Sequence, residues 1–280
     1  MSKLEASYDY CHQVVKQSAS NFSYPLLLLP RQKRRAMYAL YAYLRYSDDI
    51  ADSQHPVEQR RSELERWKQS LQRSLSGHTD DLILPALVDT VQRYEIPHEY
   101  LYEVLRGVDS DLDVQVFQTF FQLEQYCYRV ASVVGLACVH IWGYHGDEAL
   151  EPARKCGIAF QMTNILRDLK EDAANGRIYL PQEDFTRFDY SSDDLKRGIR
   201  DDRFKQLMDF ELQRSERLYE EAFGLLHHLH PDGHRVFRAM YATYHSLLHE
   251  IKRRDGDVFS QPVQLGHWKK KWIALSVLLS

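Results

Sequence analysis

Asp48-Asp49-Ile50-Ala51-Asp52 decides how this chain is read, together with a second acidic run, Asp168-Leu-Lys-Glu-Asp172. Each run sets two aspartates four residues apart, which on an α-helix puts both carboxylates on one face with roughly 6 Å between Cβ atoms. Like charges so placed repel unless a cation stands between them, and a divalent metal is the simplest such cation. The pattern extends on either side. Tyr41, Arg45, Asp48 and Asp52 recur at helical spacing, with Met37, Leu40, Leu44 and Ala51 on the apolar flank. Gln161, Asn164, Asp168 and Asp172 align in the same way, while Lys170 projects to the opposite side. The aspartates thus border a buried face, where a solvated helix would turn them outward.

Composition narrows the setting. The chain has 280 residues, 44% of them hydrophobic, with only 12 glycines and 9 prolines. Both counts fall below usual frequencies of about 7% and 5%, and alternating β-branched runs are scarce, so an all-α protein is expected. The length suits one domain over residues 1–280. A net charge of −4 gives no global reason to bind nucleic acid. Cys11, Cys127, Cys138 and Cys156 show no CxxC or Cys/His ligand spacing and read as buried free thiols. No secretory pattern and no uncharged apolar run of about 18 residues is present, so a cytoplasmic protein is expected. The tail, about 267–280, joins Lys269-Lys-Lys271 to an apolar end. It either lies on the inner face of an anionic membrane as a peripheral contact or packs as a last helix on the core.

Helices are expected over 4–18, 31–52, 57–76, 80–94, 98–112, 122–143, 147–173, 192–199, 202–230 and 232–254, the spacing of a helical bundle. Small residues Ala131, Ser132, Gly135 and Cys138 share a face, which allows close helix approach or leaves room for a cavity; close packing, the commoner use, is expected. Asn175-Gly176 ends the second acidic helix and Pro181 blocks its resumption, leaving a mobile loop beside the acids. None of the 13 histidines sits in a pattern that demands a role.

If the two acidic stripes face each other they form a wall suited to Mg²⁺, which keeps coordination positions for substrate phosphates. Asn164 adds a neutral oxygen, and Arg45 stands one turn before Asp48, within reach of a phosphate. One DxxxD alone is common on solvated helices. Two, each with amide or arginine support, favour metal chemistry.

Phe22-Ser-Tyr24, Leu29-Pro-Arg31, Ala39-Leu-Tyr-Ala-Tyr-Leu-Arg-Tyr-Ser-Asp-Asp-Ile-Ala-Asp52, Tyr126-Cys-Tyr-Arg-Val-Ala-Ser-Val-Val-Gly135 and Gln161-Met-Thr-Asn-Ile-Leu-Arg-Asp-Leu-Lys-Glu-Asp172 through Gly176-Arg-Ile-Tyr-Leu-Pro181 together resemble the squalene/phytoene synthase family, in order, from about residue 8 to 255. The resemblance implies a single-domain isoprenoid synthase helical bundle around a central cavity, and head-to-head condensation of two prenyl diphosphates with two to three Mg²⁺ ions. It makes Asp48, Asp52, Asn164, Asp168 and Asp172 the metal ligands or their supports, with Asp49 and Glu171 beside them. It places Tyr41, Arg45, Gln161, Arg167, Arg177 and Tyr244 near diphosphates and gives Tyr126 an acid/base or cation-stabilising role. Phe22, Leu26 and Val133 or Val134 would line the apolar part. Ser18, Ser20 and Asn21 stand where some members use histidine or lysine against a diphosphate. Gln261 or Pro262 replaces an arginine common among relatives, for which Lys252, Arg253 and Arg254 are possible substitutes.

Asn164-Ile-Leu-Arg-Asp168, Gly176-Arg-Ile-Tyr-Leu-Pro181, and Val133-Val-Gly-Leu136 before Ile141-Trp-Gly-Tyr144 look most like the bacterial hopanoid-pathway branch that makes presqualene diphosphate from farnesyl diphosphate. The alternatives are a phytoene synthase using geranylgeranyl diphosphate and a noncatalytic helical subunit. NADPH enters only if the reaction continues to squalene, and no Gly-rich dinucleotide fingerprint is present.

Overall fold

The computed structural model describes residues 2–18, 23–79, 81–113, 116–266 and 273. Helices follow one another throughout, and among the described residues no strand forms beyond two isolated bridges, Val116 to Ile178 and Tyr144 to Leu229. Helix α1 (Lys3–Gln17) opens where the Ser2 hydroxyl accepts the Glu5 amide, satisfying one orphan donor of the first turn. A single turn, α2 (Ser23–Leu26), precedes α3 (Arg31–Ala51). Prolines at the N-cap, Pro30, Pro56 and Pro97, open α3, α4 (Val57–Leu75) and, after α5 (Leu84–Arg93), α6 (His98–Ser110). Proline there loses nothing, because the amide it lacks would have no partner.

The second half is built on α9. After α7 (Phe120–Cys127) the chain makes a π-turn over Tyr128–Ser132 and continues as α8 (Val133–Trp142). Helix α9 (Leu150–Ala174) then packs on the π-turn and α8, and later on α12 (Asp202–Phe223) and α13 (Pro231–Arg253), with the short α10 (Gln182–Arg187) and α11 (Ser192–Lys196) between. Two apolar clusters result, one centred on α3, α5, α6 and α8, the other on α9, α12 and α13. Phe160 and Tyr241 pack against both.

Most expected helices are present, and the departures have local causes. The helix expected over 122–143 is broken by the π-turn, where Ser132 is pressed against α9 and its Oγ donates to the Arg154 carbonyl at 2.7 Å. The helix expected from residue 80 starts at Leu84, because Asp81 Oδ1 accepts the Ile83 and Leu84 amides and caps that end. The one expected to reach 230 stops at Phe223, where Gly224 opens a 3₁₀ turn. Pro181 does not keep the chain from resuming a helix: it is the N-cap of α10. Nor is the preceding segment loose, since the Gln182 amide donates to the Phe117 carbonyl (2.9 Å) and Ile178 bridges to Val116.

Helix α10 is tied to α12 by a buried ionic group. Arg214 donates to Asp184 (2.7 Å) and Glu211 (2.9 Å) and lies over the Phe120 ring at 4.1 Å. Burial pushes the wholly buried Glu211 carboxyl up to about 8 against the pull of Arg214, and the neighbouring Asp184 pushes the same way. A carboxyl raised on folding contributes stability below the ordinary carboxylate range, and that contribution is lost as pH rises through the folded value. Glu211→Gln should therefore flatten the stability profile and gain on the order of 1 kcal/mol over wild type at high pH, measured by urea unfolding from about pH 5 to about pH 9. An unchanged profile would mean the carboxylate is fully charged in the fold. All four cysteines are buried and free, as their spacing suggests.

Candidate active site

Three acid-bearing helices, α3, α6 and α9, bring their C-terminal ends to the mouth of a cavity of about 360 Å³. Asp48, Arg45, Asp111, Gln161 and Asn164 line its polar end. Its apolar end is lined by Leu26, Met37, Trp142, Leu225, Phe237 and Met240. Along the walls run Tyr41, Leu44, Val134, Phe160 and Tyr244, and the Phe160 and Tyr244 rings stack at 4.3 Å. The small residues Ala131, Gly135 and Cys138 also line the cavity, so they make room there, while the backbone of Ala131 and Ser132 packs closely on α9 at Gly157.

The mouth is electrostatically uncomfortable for carboxylates. A helix C-terminus carries the negative end of the macrodipole, which basic residues normally offset. None of α3, α6 or α9 has a basic residue in its last turn. Asp48 lines the cavity and is exposed to solvent at its mouth, with much protein packed around it. Burial and then the charge of Asp52 push its carboxyl up to about 7, with Asp111 and Asp49 adding and Arg45 opposing. Asp172 is pushed up to about 6 by burial and then by Asp168, against Arg177 and Arg167. Asp111 also reaches about 6, through burial and the charge of Asp52, despite a hydrogen bond from Tyr126 and the nearby Arg177. Its Oδ1 is buried without a partner.

Local sequence explains how the cations arrive. Asn175 ends α9 and Gly176, at φ +76°, reverses the chain, a conformation that costs glycine little. The Gly176 amide then donates to the Ala173 carbonyl (3.1 Å) and the Arg177 amide to the Asp172 carbonyl (2.8 Å), a Schellman cap. That turn sets Arg177 where its charge acts on both Asp172 and Asp111. Arg167 grips its neighbour Asp168, Nε to Oδ1 at 2.8 Å, and Arg45 Nη2 pairs with Asp49 Oδ1 at 2.7 Å.

The family model described as squalene/phytoene synthase matches residues 15–269. The chain belongs to the squalene/phytoene synthase family. It is 35% identical to a phytoene synthase of Arthrospira platensis over 94% of this chain and 90% of that one. It is 31% identical to 4,4'-diapophytoene synthase of Staphylococcus haemolyticus over 96% and 95%. A crystal structure of a dehydrosqualene synthase in complex with a ligand superposes with a TM-score of 0.89 at 27% identity, covering 99% and 96% of the two chains. Members of the squalene/phytoene synthase family are head-to-head prenyltransferases acting on prenyl diphosphates.

In this member of the family the expected residues fall into groups. Tyr41, Arg45, Asp48, Gln161, Asn164 and Tyr244 line the cavity itself, as do Leu26 and Val134. Asp52, Asp168, Asp172, Arg167 and Arg177 surround its mouth through the charge interactions above, with Glu171 exposed beside Asp172. Asp49 is not among the lining residues; it stands one position round the helix, half exposed and engaged by Arg45. Tyr126 lies behind the wall, donating to Asp111 and packed against Tyr179 at 5.3 Å, and burial keeps its hydroxyl protonated well above the ordinary range. Ser18 ends α1 and donates to the Val15 carbonyl, away from the cavity. Val133 is core, not lining. Arg253 and Arg254 pair with Glu250 at 2.7 and 2.8 Å, and Arg254 Nη1 also donates to the Gln261 carbonyl at 3.2 Å, so of these two it is Arg254 that stands at the position of the missing arginine. Ser20, Asn21, Phe22 and most of the 267–280 tail lie outside the described residues. Among those described, no helix is long and apolar enough to cross a membrane.

Asp111 was not singled out from sequence. Its only signal there is the alternation Asp109-Ser-Asp111-Leu-Asp113 at a helix end.

Proposed function

We propose that the chain condenses two farnesyl diphosphates head-to-head to presqualene diphosphate, releasing one diphosphate and a proton. The observation that carries this choice of chain length is the depth of the cavity. From Asp48 to Met37, both lining residues, α3 makes about three turns, or ~16 Å at 1.5 Å per residue. An extended prenyl chain advances roughly 5 Å per isoprene unit, at ~1.2 Å per bond, so three units need ~15 Å and four need ~20 Å. Trp142, Leu225 and Phe237 line the cavity with Met37, and their large side chains are taken as its floor. The relatives named as phytoene synthases favour the longer substrate, but a straight chain of that length meets this floor.

The donors at the mouth suit magnesium: five oxygen ligands from Asp48, Asp52, Asn164, Asp168 and Asp172, carboxylates whose mutual repulsion a cation would relieve, and the unpartnered Asp111 Oδ1 behind them. Bound there, two to three Mg²⁺ ions would supply Lewis-acid neutralisation of the departing diphosphate. Arg45, Arg167 and Arg177 add fixed positive charge for phosphate oxygens. Once the allylic carbon–oxygen bond of the first substrate breaks, the apolar walls keep water from the carbocation, and the Phe160, Tyr244 and Tyr41 rings offer it π-faces. The double bond of the second substrate attacks, and proton loss closes the cyclopropane. Tyr126 holds its proton at Oη against Asp111, so it orients that carboxylate and is not itself the base.

The test is product analysis with purified protein, magnesium and either farnesyl or geranylgeranyl diphosphate, with and without NADPH. The expected kcat/KM favours farnesyl diphosphate by more than ~10-fold, the discrimination a missing few methylenes of space imposes. Phe237→Ala should narrow that ratio by deepening the floor. Preference for the longer substrate would overturn the chain-length reading, and no diphosphate release from either would leave the noncatalytic reading standing.

A further inference from the structure

On α12 and α13, among residues that do not line the cavity, Glu216, His245 and His249 converge. His245 Nε2 lies 2.7 Å from Glu216 Oε2, and His249 Nε2 lies 3.6 Å from Glu216 Oε1. All three groups offer a ligand atom within 4.8 Å of the others. The two histidines are spaced i, i+4 on one helix, and their rings sit 4.4 Å apart and nearly perpendicular. Glu216 Oε1 is buried and has no hydrogen-bond partner, so one oxygen of this carboxylate is left for a ligand that the fold itself does not supply.

We propose that Glu216, His245 and His249 bind a divalent transition metal of the zinc type, clamping α12 to α13. Two imidazoles and a carboxylate form a donor set that zinc favours and that magnesium, which prefers oxygen throughout, does not. Ligand atoms around tetrahedral zinc stand about 3.4 Å apart, given metal–ligand distances near 2.0–2.2 Å, so small side-chain rotations complete the site. The histidine nearer the core is already held: Tyr219 and Tyr241 pack on the His245 ring at 4.7 and 5.4 Å. His249 is 57% exposed and gives the ion a path from solvent while leaving a coordination position open. The site also has a mechanical connection inward. The Tyr219 hydroxyl meets Thr163 Oγ1 at 2.8 Å, on α9 between Gln161 and Asn164.

The experiment is equilibrium dialysis of the full chain with zinc alone as probe, in excess magnesium so that oxygen-only sites are occupied. Wild type should hold one zinc that His249→Ala and Glu216→Gln each weaken at least ~10-fold, while Asp168→Asn leaves it unchanged. Zinc should also raise the Tm of wild type and of Asp168→Asn but not of His249→Ala. His249 is a surface residue, so its replacement leaves folding intact, and circular dichroism of each variant verifies this. Equal zinc affinity in wild type and His249→Ala, zinc binding that follows Asp168→Asn, or no zinc retained at micromolar concentration overturns the proposal.

Discussion

Asp168→Ala and Asp48→Ala are each expected to lower kcat by at least ~10³-fold, which corresponds to about 4 kcal/mol of lost transition-state stabilisation. The two positions approach the mouth from different helices, so neither compensates for the other. Asp168 is already oriented by Arg167, and Asp48 stands at the top of the cavity wall. The same substitutions should not weaken the fold. Burial and neighbouring acids raise the folded-state value of Asp48 to about 7, so in metal-free protein its stability contribution is lost as pH rises from the ordinary carboxylate range through that value. Discounted for the open mouth, Asp48→Asn should stabilise metal-free protein by on the order of 1 kcal/mol above neutral pH. Single-turnover kinetics beside thermal melts in a chelator would separate the two effects. Full activity in either variant would remove these carboxylates from the chemistry. Destabilisation by Asp48→Asn would mean that the carboxylate is satisfied by the protein.

Gly157→Ala should produce the largest loss of stability of any single methyl addition considered. A Cβ at Gly157 would stand 2.4 Å from Ser132 Cα, 2.6 Å from its nitrogen and 2.8 Å from the Ala131 carbonyl carbon. All three are backbone atoms of the π-turn, so no side chain can rotate away and α9 must separate from α7 and α8. The expected cost is about 3 kcal/mol or more, seen as a fall in Tm of roughly 2–4 °C for each kcal/mol. Gly135→Ala is the control, since a Cβ there meets only the Ala153 carbonyl oxygen, at 3.4 Å. If the two variants melt alike, the helices are not held at the separation described. Activity should fall with stability at Gly157, because Gln161 and Asn164 lie on the same helix one and two turns further on.

Much of the site was legible because helical periodicity is local. Asp48 with Asp52, and Asp168 with Asp172, share a helix face by spacing alone, and the Asn-Gly stop located the turn that carries Arg177. Features made by contact between distant segments were not. Asp111 lies in an acidic run that reads as solvated surface, and only the meeting of α6 with α3 and α7 brings it to the mouth beside Tyr126. The π-turn depends on the approach of Ser132 to Gly157, a pairing across 25 residues that no window of one helix contains. His245 and His249 show their spacing in sequence, yet the carboxylate that completes them is 29 residues earlier on α12. Helix α10 was missed because its tie to α12 through Arg214 lies outside its own six residues.

The shared direction of α3, α6 and α9 sets a condition on what the cavity admits. Three helix C-termini and their acids give the entrance a repulsive potential for a bare polyanion, so an unaccompanied diphosphate is turned back by the very surface built to hold it. With the metal binding proposed above, chain direction makes the entrance a coincidence filter: cations first offset the acids, and only then does the surface favour the anion whose bond is to break.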